Sequence, residues 1–260
     1  MLHRAVVPPP PLSELVALLW LYEGYAPPHA RERLLPTGTV ELVIDLREGP
    51  AGGGGAVVCG AHSQFFEIDT VAEASVMGVH FRPGGAFPFF APPAGELHNL
   101  HVSLDDLWGA AAGELRERLL AARTPEARFR VLGDFLLARA VRPLARHPAV
   151  ARALREFARA PGRTVAEVAA ETGFSRRRFI ELFGAEVGLT PKLFCRVRRF
   201  QEVVRLVHPE PRVDWARVAL ECGYFDQAHF IHDFQAFSGL TPSAYLAQRS
   251  EHMNHVPLAE

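Results

Sequence analysis

Lysine is nearly missing from this chain. Lys192 is the single one among 28 lysine and arginine residues in a length of 260, so the positive charge is arginine charge. The glycine run Gly52 to Gly55 is followed by no Lys-Ser/Thr pair, which excludes a phosphate-cradling loop and leaves a hairpin tip. No Gly-x-Ser-x-Gly elbow of a serine hydrolase occurs either. The three cysteines, Cys59, Cys195 and Cys222, are odd in number and widely spaced, so neither a disulfide framework nor a Cys-x-x-Cys zinc site is expected; reduced thiols packed as small hydrophobes are. Long apolar runs are absent: Leu15 to Leu21 and Val76 to Val79 fall well short of the roughly 20 residues that cross a bilayer. Residues Met1 to Pro11 carry one arginine and four consecutive prolines and lack the pattern of a secretory signal, so a cytoplasmic chain is expected. With 48% hydrophobic and 22% charged residues, the composition excludes disorder and fibres and suits one large or two modest domains.

The formal net charge of -1 hides an asymmetry. Residues 150–250 carry 15 Arg plus Lys against 11 Asp plus Glu, whereas residues 1–149 carry 13 against 16. A basic second half is the electrostatic footprint of a polyanion partner, which the average conceals.

The first half reads as strands. Val40 to Leu46, Ala56 to Cys59, Phe65 to Ile68 and Val76 to Phe81 are short apolar runs separated by Gly49-Pro50, Gly52 to Gly55 and Pro83-Gly84-Gly85. In the last run Met77, Val79 and Phe81 make one apolar face, and Val76, Gly78 and His80 a mixed face suited to lining a cavity. From Leu104 onward leucine and phenylalanine recur at three- and four-residue spacings, which predicts helices to the end of the chain. Pro143, Pro148 and Pro161-Gly162 place a domain boundary near residues 142–150.

The second half contains a repeat. Gly188-Leu189-Thr190-Pro191 returns 51 residues later as Gly239-Leu240-Thr241-Pro242; Phe179 and Phe183 return as Phe230 and Phe234, and Gly173-Phe174 as Gly223-Tyr224. In the first unit Thr164 and Glu167 form a capping box, Gly173 makes a left-handed turn and Ser175 caps a second helix. That helix has Phe179, Leu182, Phe183 and Val187 inward and Arg176, Arg177, Ile180, Glu181 and Gly184 outward. In the second unit Asp214 and Asp226 are the caps, Phe230, Phe234 and Phe237 face inward, and Gln227, Ala228, His229, Ile231, His232 and Gln235 face outward. Thr190-Pro191 opens a helix between the units, striped by Phe194, Val197, Phe200, Val203, Val204 and Val207. Two helix-turn-helix units held by a rigid spacer suit insertion of two helices into successive major-groove segments of one duplex, roughly 34 Å apart. The Arg176-Arg177-Arg178 run suits phosphate or base contact, and Arg196, Arg198, Arg199 and Arg205 on the spacer stand open between phosphate contact and a solvated face. The phenylalanines, at four-residue spacing, belong to the core.

Residues 150–247 resemble the DNA-binding domain of the AraC/XylS family of transcription regulators, most specifically in the stretch from Gly223 to Phe234 followed by Gly239-Leu240-Thr241-Pro242. The resemblance implies an all-α tandem helix-turn-helix domain and duplex DNA and RNA polymerase as partners, with homodimerisation an option. Base contacts would come from Arg177, Ile180 and Glu181 in the first unit and from Gln227, Ala228, His229 and His232 in the second, beside Arg176 and Arg178. Glu181 and His232 depart from the arginine common at those places, so Glu181 is left to accept from cytosine or to pair with Arg177 or Arg178.

Residues 10–140, through Leu35 to Leu46, Gly78 to Ala86, Pro93 to Leu97 and Asp106 to Gly109, resemble an N-terminal domain of one branch of the same regulators. This implies a two-domain α+β chain: residues 1–142 as a cupin-like β-barrel plus helices that sense an effector or dimerise, residues 150–247 binding DNA, and 248–260 a C-terminal tail. His80, Arg82, Phe65 and Phe87 are the candidate effector contacts, with Arg82 suited to an anion. A competing reading gathers Glu96, His98, His101 and His80 as metal ligands of a cupin-type enzyme, but His98-x-x-His101 lacks the tight strand spacing such sites use. A third has the first half only oligomerise. The expectation is a regulator with neither metal nor cofactor and no enzymatic activity.

Overall fold

The computed structural model describes residues 2–26, 28–47, 55–70, 74–160 and 162–258. Among them the strands of the first half, joined by one from the C-terminal end, form two antiparallel sheets. The larger runs in the order β1 (Leu2–Val6), β2 (Val16–Tyr25), β7 (Ala74–Phe81), β4 (Glu41–Asp45), β5 (Ala56–Cys59) and β8 (His101–Ser103). The smaller runs β6 (Phe66–Asp69), β3 (Arg31–Leu34) and β9 (His255–Pro257).

The alternation in β7 organises the larger sheet. Met77 and Val79 are buried in register with Leu21 and Leu19 of β2 and with Ile44 and Leu42 of β4, and Phe81 is buried opposite Val16 of β2. They join Leu104 of α1 (Leu104–Trp108), Leu115 and Leu119 of α2 (Ala110–Ala121), and Leu132, Phe135 and Leu136 of α3 (Pro125–Ala138) in the core. The other face carries Trp20, Tyr22, Glu41, Val43, Val76 and His80, all half-buried. Gly78 is obligatory on this face, because a Cβ there would sit 2.3 Å from the Trp20 ring.

The cupin-like barrel expected from the resemblance is corrected to an open arrangement. Closure needs a ladder joining the edge strands. Among the described residues β1 pairs with β2 and β8 with β5, while the smaller sheet forms its own ladder beside them. Strands β1, β2, β3, β8 and β9 lie outside the runs that the sequence pattern marks: β2 reads as a plain apolar run, β3 is charged in Arg31, Glu32 and Arg33, and β8 is three residues long. The Gly49-Pro50 turn and most of the glycine run lie outside the described residues.

The second half comprises α4 (Pro148–Arg159), α5 (Val165–Ala170), α6 (Arg176–Val187), α7 (Pro191–Val207), α8 (Trp215–Glu221), α9 (Gln227–Ser238) and α10 (Pro242–Gln248). The caps are those expected: the Thr164–Glu167 box on α5, Ser175 accepting from the Arg178 amide, Asp214 from Ala216 and Arg217, and Asp226 from His229. Gly173 and Gly223 take φ of +76° and +74°, so each helix-turn-helix turns on the left-handed residue its sequence supplies.

The halves are packed together. Arg142 donates to the carbonyls of Phe87, Phe90 and Ala91, and Arg146 to those of Pro83 and Glu14, so the passage into α4 is pinned to the first half. The repeated glycines are docking points. Gly188 (φ +94°) lies against Ala61 and Ala94, and Gly239 (φ +69°) against Phe65 and Arg33. Each ends a recognition helix and, lacking a Cβ, admits the first half at the corresponding place in its unit. The residues read as a tail return as β9, which pairs with β3 and buries Val256 completely.

Candidate nucleic-acid interface and an internal cavity

Ser175 sets the start of α6 and turns Arg176, Arg177 and Arg178 into solvent, while Phe179 and Phe183 are fully buried. Three cations at a helix N-terminus, with no acidic residue in that turn, oppose the helix dipole. Their placement therefore does nothing for the helix and leaves a positive surface. Glu181, one turn on and exposed, accepts from Arg177 Nε at 2.9 Å and lies 3.8 Å from Arg178, so of the alternatives left open the unbound chain takes the ion pair. Ile180 is half-buried against the core.

On α9, Gln227, Ala228 and His232 are exposed and His229 is half-buried, its Nε2 3.7 Å from the Asp233 carboxylate and its ring 5.2 Å from that of Tyr224. Asp233, 2% exposed, takes the Arg196 guanidinium of α7 at 2.7 Å. Sequence reading missed this pair, because Arg196 and Asp233 are 37 residues apart and each looks like one more surface charge. Among the other spacer arginines, Arg205 pairs with Glu202, Arg199 lies over the Tyr224 ring and Arg198 is exposed.

The far end of α6 is docked. Glu186 is 2% exposed and accepts from the backbone N–H of His147 at 3.0 and 3.2 Å. Burial pushes its carboxyl up to about 7 against the opposing effects of that hydrogen bond and of Arg146. The first turns of both recognition helices thus stay exposed while the C-terminal ends of both touch the first half.

The residues singled out in the first half are not brought together. Arg82 donates to the Ser13 carbonyl, Phe65 stacks under Arg33 at 4.0 Å, and Phe87 under Arg142 at 4.1 Å. His80 instead holds Glu41 at 2.9 Å. The metal candidates are likewise dispersed: Glu96 is exposed, His98 bonds Ser63 at 2.9 Å, and His101 packs on His62 and Phe66. Among the described residues no three His, Cys, Asp or Glu side chains converge as a metal site. Burial raises the thiols of Cys59 to about 12 and of Cys195 and Cys222 to about 11, as suits packed, unreactive cysteines.

A cavity of about 470 Å³ lies between the two sheets. Its walls come from β1, β2, β4 and β7 on one side and from β3, β6 and the C-terminal segment on the other. Of the four effector candidates only His80 lines it. A neighbouring space of about 280 Å³ shares Leu34, Glu41, His80, His252 and His255. Trp20, Glu32, His252 and His255 were missed as lining residues, because each sits on or beside a strand the sequence did not announce.

Among the described residues no helix is long and apolar enough to cross a membrane. No curated protein matches the chain. Residues 4–103 match a family model described as a domain of unknown function (DUF6597), and residues 168–248 match one described as a helix-turn-helix domain. Among solved structures, ToxT from Vibrio cholerae is similar at 10% identity over 88% of this chain and 93% of that one, with a TM-score of 0.44. ToxT bound to a methylnaphthalenyl butenoic acid gives 10% identity over 88% and 94%, with a TM-score of 0.45. The AraC-like transcriptional activator CuxR gives 17% over 80% and 87%, with a TM-score of 0.20. Two capped helix-turn-helix units repeated 51 residues apart across one spacer helix, within a stretch matched by the helix-turn-helix family, make the C-terminal part of this chain an AraC-type helix-turn-helix DNA-binding domain.

Proposed function

We propose that the protein is a sequence-specific transcription regulator in which residues 150–247 read duplex DNA and residues 1–142 sense a small molecule. The observation that carries this reading is the exposure of the first turns of α6 and α9, each launched by a side-chain cap and each presenting hydrogen-bonding side chains. Arg176, Arg177 and Arg178 supply phosphate and guanine donors, and Gln227, His229 and His232 the base-edge donors and acceptors, with Ala228 and Ile180 apolar neighbours. Glu181 exchanges its arginine partners for a base or keeps them as a positioning pair. RNA polymerase and a second copy of the chain are the expected protein partners.

Sensing rests on the cavity between the sheets and on the packing of the first half against both units. A ligand that prefers one arrangement of the halves changes DNA affinity by the difference in its own affinity for the two. The cavity favours this over a first half that only oligomerises. The separate commitments of His80, His98 and His101 give no support to a metalloenzyme.

Selection of genomic fragments by the full-length protein tests the reading. Enriched fragments should share two short motifs about one helical turn apart. Retention of all fragments alike, with affinity set by salt alone, would overturn it.

A further inference from the structure

The cavity between the sheets has a chemical bias that goes beyond a generic pocket. Its apolar wall is aromatic: Trp20 and Tyr22, two residues apart on one face of β2, lie edge-on with centroids 5.7 Å apart, and His3 stacks on Tyr22 at 4.3 Å. Its polar wall is acidic. Among the described residues Glu32, Glu41 and Asp69 line the space with the imidazoles of His3, His80, His252 and His255 and one guanidinium, that of Arg47, which is already held by both oxygens of Asp45 at 2.5 to 3.1 Å.

The partners of the two inner carboxylates matter most. Glu32, with a side chain 8% exposed, is held by His255 at 3.0 Å and His29 at 3.3 Å, and Glu41 by His80 at 2.9 Å and Thr37 at 3.4 Å. Among the described residues the charged partners of both carboxylates are imidazoles rather than a lysine or arginine. Burial disfavours charge on Glu32, but the hydrogen bonds from His255 and His29 outweigh it and hold the carboxyl below its ordinary value. His252, on the same wall, is shifted downward, by burial first and then by the neighbouring His255. Among the described residues, an anion entering this space meets carboxylates and a guanidinium, that of Arg47, already held by Asp45. A protonated or quaternary amine meets carboxylates and the faces of electron-rich rings, the two environments that stabilise a desolvated organic cation.

We infer that this cavity is a binding site for an organic cation carrying an aromatic or branched apolar body, with Trp20 and Tyr22 against the body and Glu32 and Glu41 answering the charge. The inference deepens the sensing role proposed above by naming the ligand class. It also supplies a route to the DNA-binding half, since His252 and His255 reach the cavity from the segment directly after α10 and β9 is bonded to β3. Filling the space pushes on a strand that leads straight back to the second helix-turn-helix unit.

Calorimetric titration of the full-length protein without DNA tests it, using three probes that share one ring system: tryptamine as the cation, tryptophol as the neutral compound and indole-3-propionate as the anion. Tryptamine should bind at least about tenfold more tightly than tryptophol, and indole-3-propionate more weakly than either. Glu41→Gln and Glu32→Gln should each narrow the gap between tryptamine and tryptophol while leaving tryptophol binding in place, and Trp20→Leu should weaken both. Equal or tighter binding of the anion, no binding of any probe up to about 10 mM, or affinities indifferent to all three substitutions would overturn the inference. Because DNA is absent, failure here leaves fragment selection by the unliganded protein untouched, so the two readings fail separately.

Discussion

The Arg196 guanidinium on the spacer helix lies 2.7 Å from the buried Asp233 carboxylate in the middle of the second recognition helix, and His229, one turn earlier on α9, lies 3.7 Å from the same carboxylate. The spacer thus fixes the orientation of the second helix through a charge pair as well as through Phe200 against Phe234. Removing the arginine strands a buried charge, whereas removing both charges does not. Arg196→Ala should therefore destabilise the protein by about 2–3 kcal/mol, toward the low side for a broken buried pair because the arginine is partly exposed. Arg196→Met with Asp233→Leu should recover most of that loss in denaturant melts. Equal losses in the single and double variants would contradict this account.

On the exposed faces, Gln227→Ala or His229→Ala should lower discrimination between the selected site and a single-base variant by about tenfold, with little change in binding to random DNA. Arg177→Ala should weaken binding to both and reduce the slope of log affinity against log salt by about one. Glu181→Ala, which releases Arg177, should strengthen binding to random DNA. Footprints and salt titrations unchanged in all four variants would remove the residue assignment.

The docking glycines allow a controlled comparison. Gly223 and Gly239 both have left-handed backbones, but a Cβ at Gly223 meets open space, whereas at Gly239 it would come within 2.5 Å of the Phe65 ring and 2.8 Å of Arg33. Gly223→Ala should cost only the backbone strain, about 1–2 kcal/mol. Gly239→Ala should cost more and loosen the contact between halves, seen as faster hydrogen exchange in β3 and β9. Matching melting temperatures for the two variants would mean that this contact contributes nothing.

Glu186 links stability to pH. Burial raises its carboxyl to about 7 from the ordinary glutamate value of 4.5, so the native state holds a proton that the unfolded chain releases between those values. Stability from this group is therefore full below about 4.5 and falls as pH rises to about 7, with no further change above. Glu186→Gln keeps an acceptor for the His147 amide and should remove that slope, making the variant more stable than the parent at pH 8 by up to about 3 kcal/mol and no more stable at pH 4.5. Parallel melting curves across this range would show that the carboxyl is not strained by burial.

The tandem helical units were legible because the physics behind them is short-ranged. Thr164 and Glu167 satisfy each other three residues apart, Gly173 and Gly223 supply their own turns, and phenylalanines at four-residue spacing choose the inner face without help from elsewhere. Strand β7 was legible for the same reason, since alternation is written in adjacent residues. The barrel expectation failed because closure depends on which edges meet, and nothing local to β1 or β8 says that they do not. The surroundings of the effector candidates are long-range in the same way: Arg33 lies over the Phe65 ring and Arg142 over that of Phe87, and neither contact is written near the phenylalanine it covers.

The two helix-turn-helix units, their caps and their exposed faces are written in residues within a turn or two of one another, and the charge difference between the halves is a plain sum over residue types, so all of these are legible without the fold. Only the tertiary structure decided that Arg196 belongs to Asp233, that the last strand returns to β3, and that Trp20, Glu32, Glu41 and His255 enclose one space. Such contacts join residues tens to hundreds of positions apart, and chain closure over those distances is chosen by the packing of the whole molecule rather than by any preference of the residues that meet.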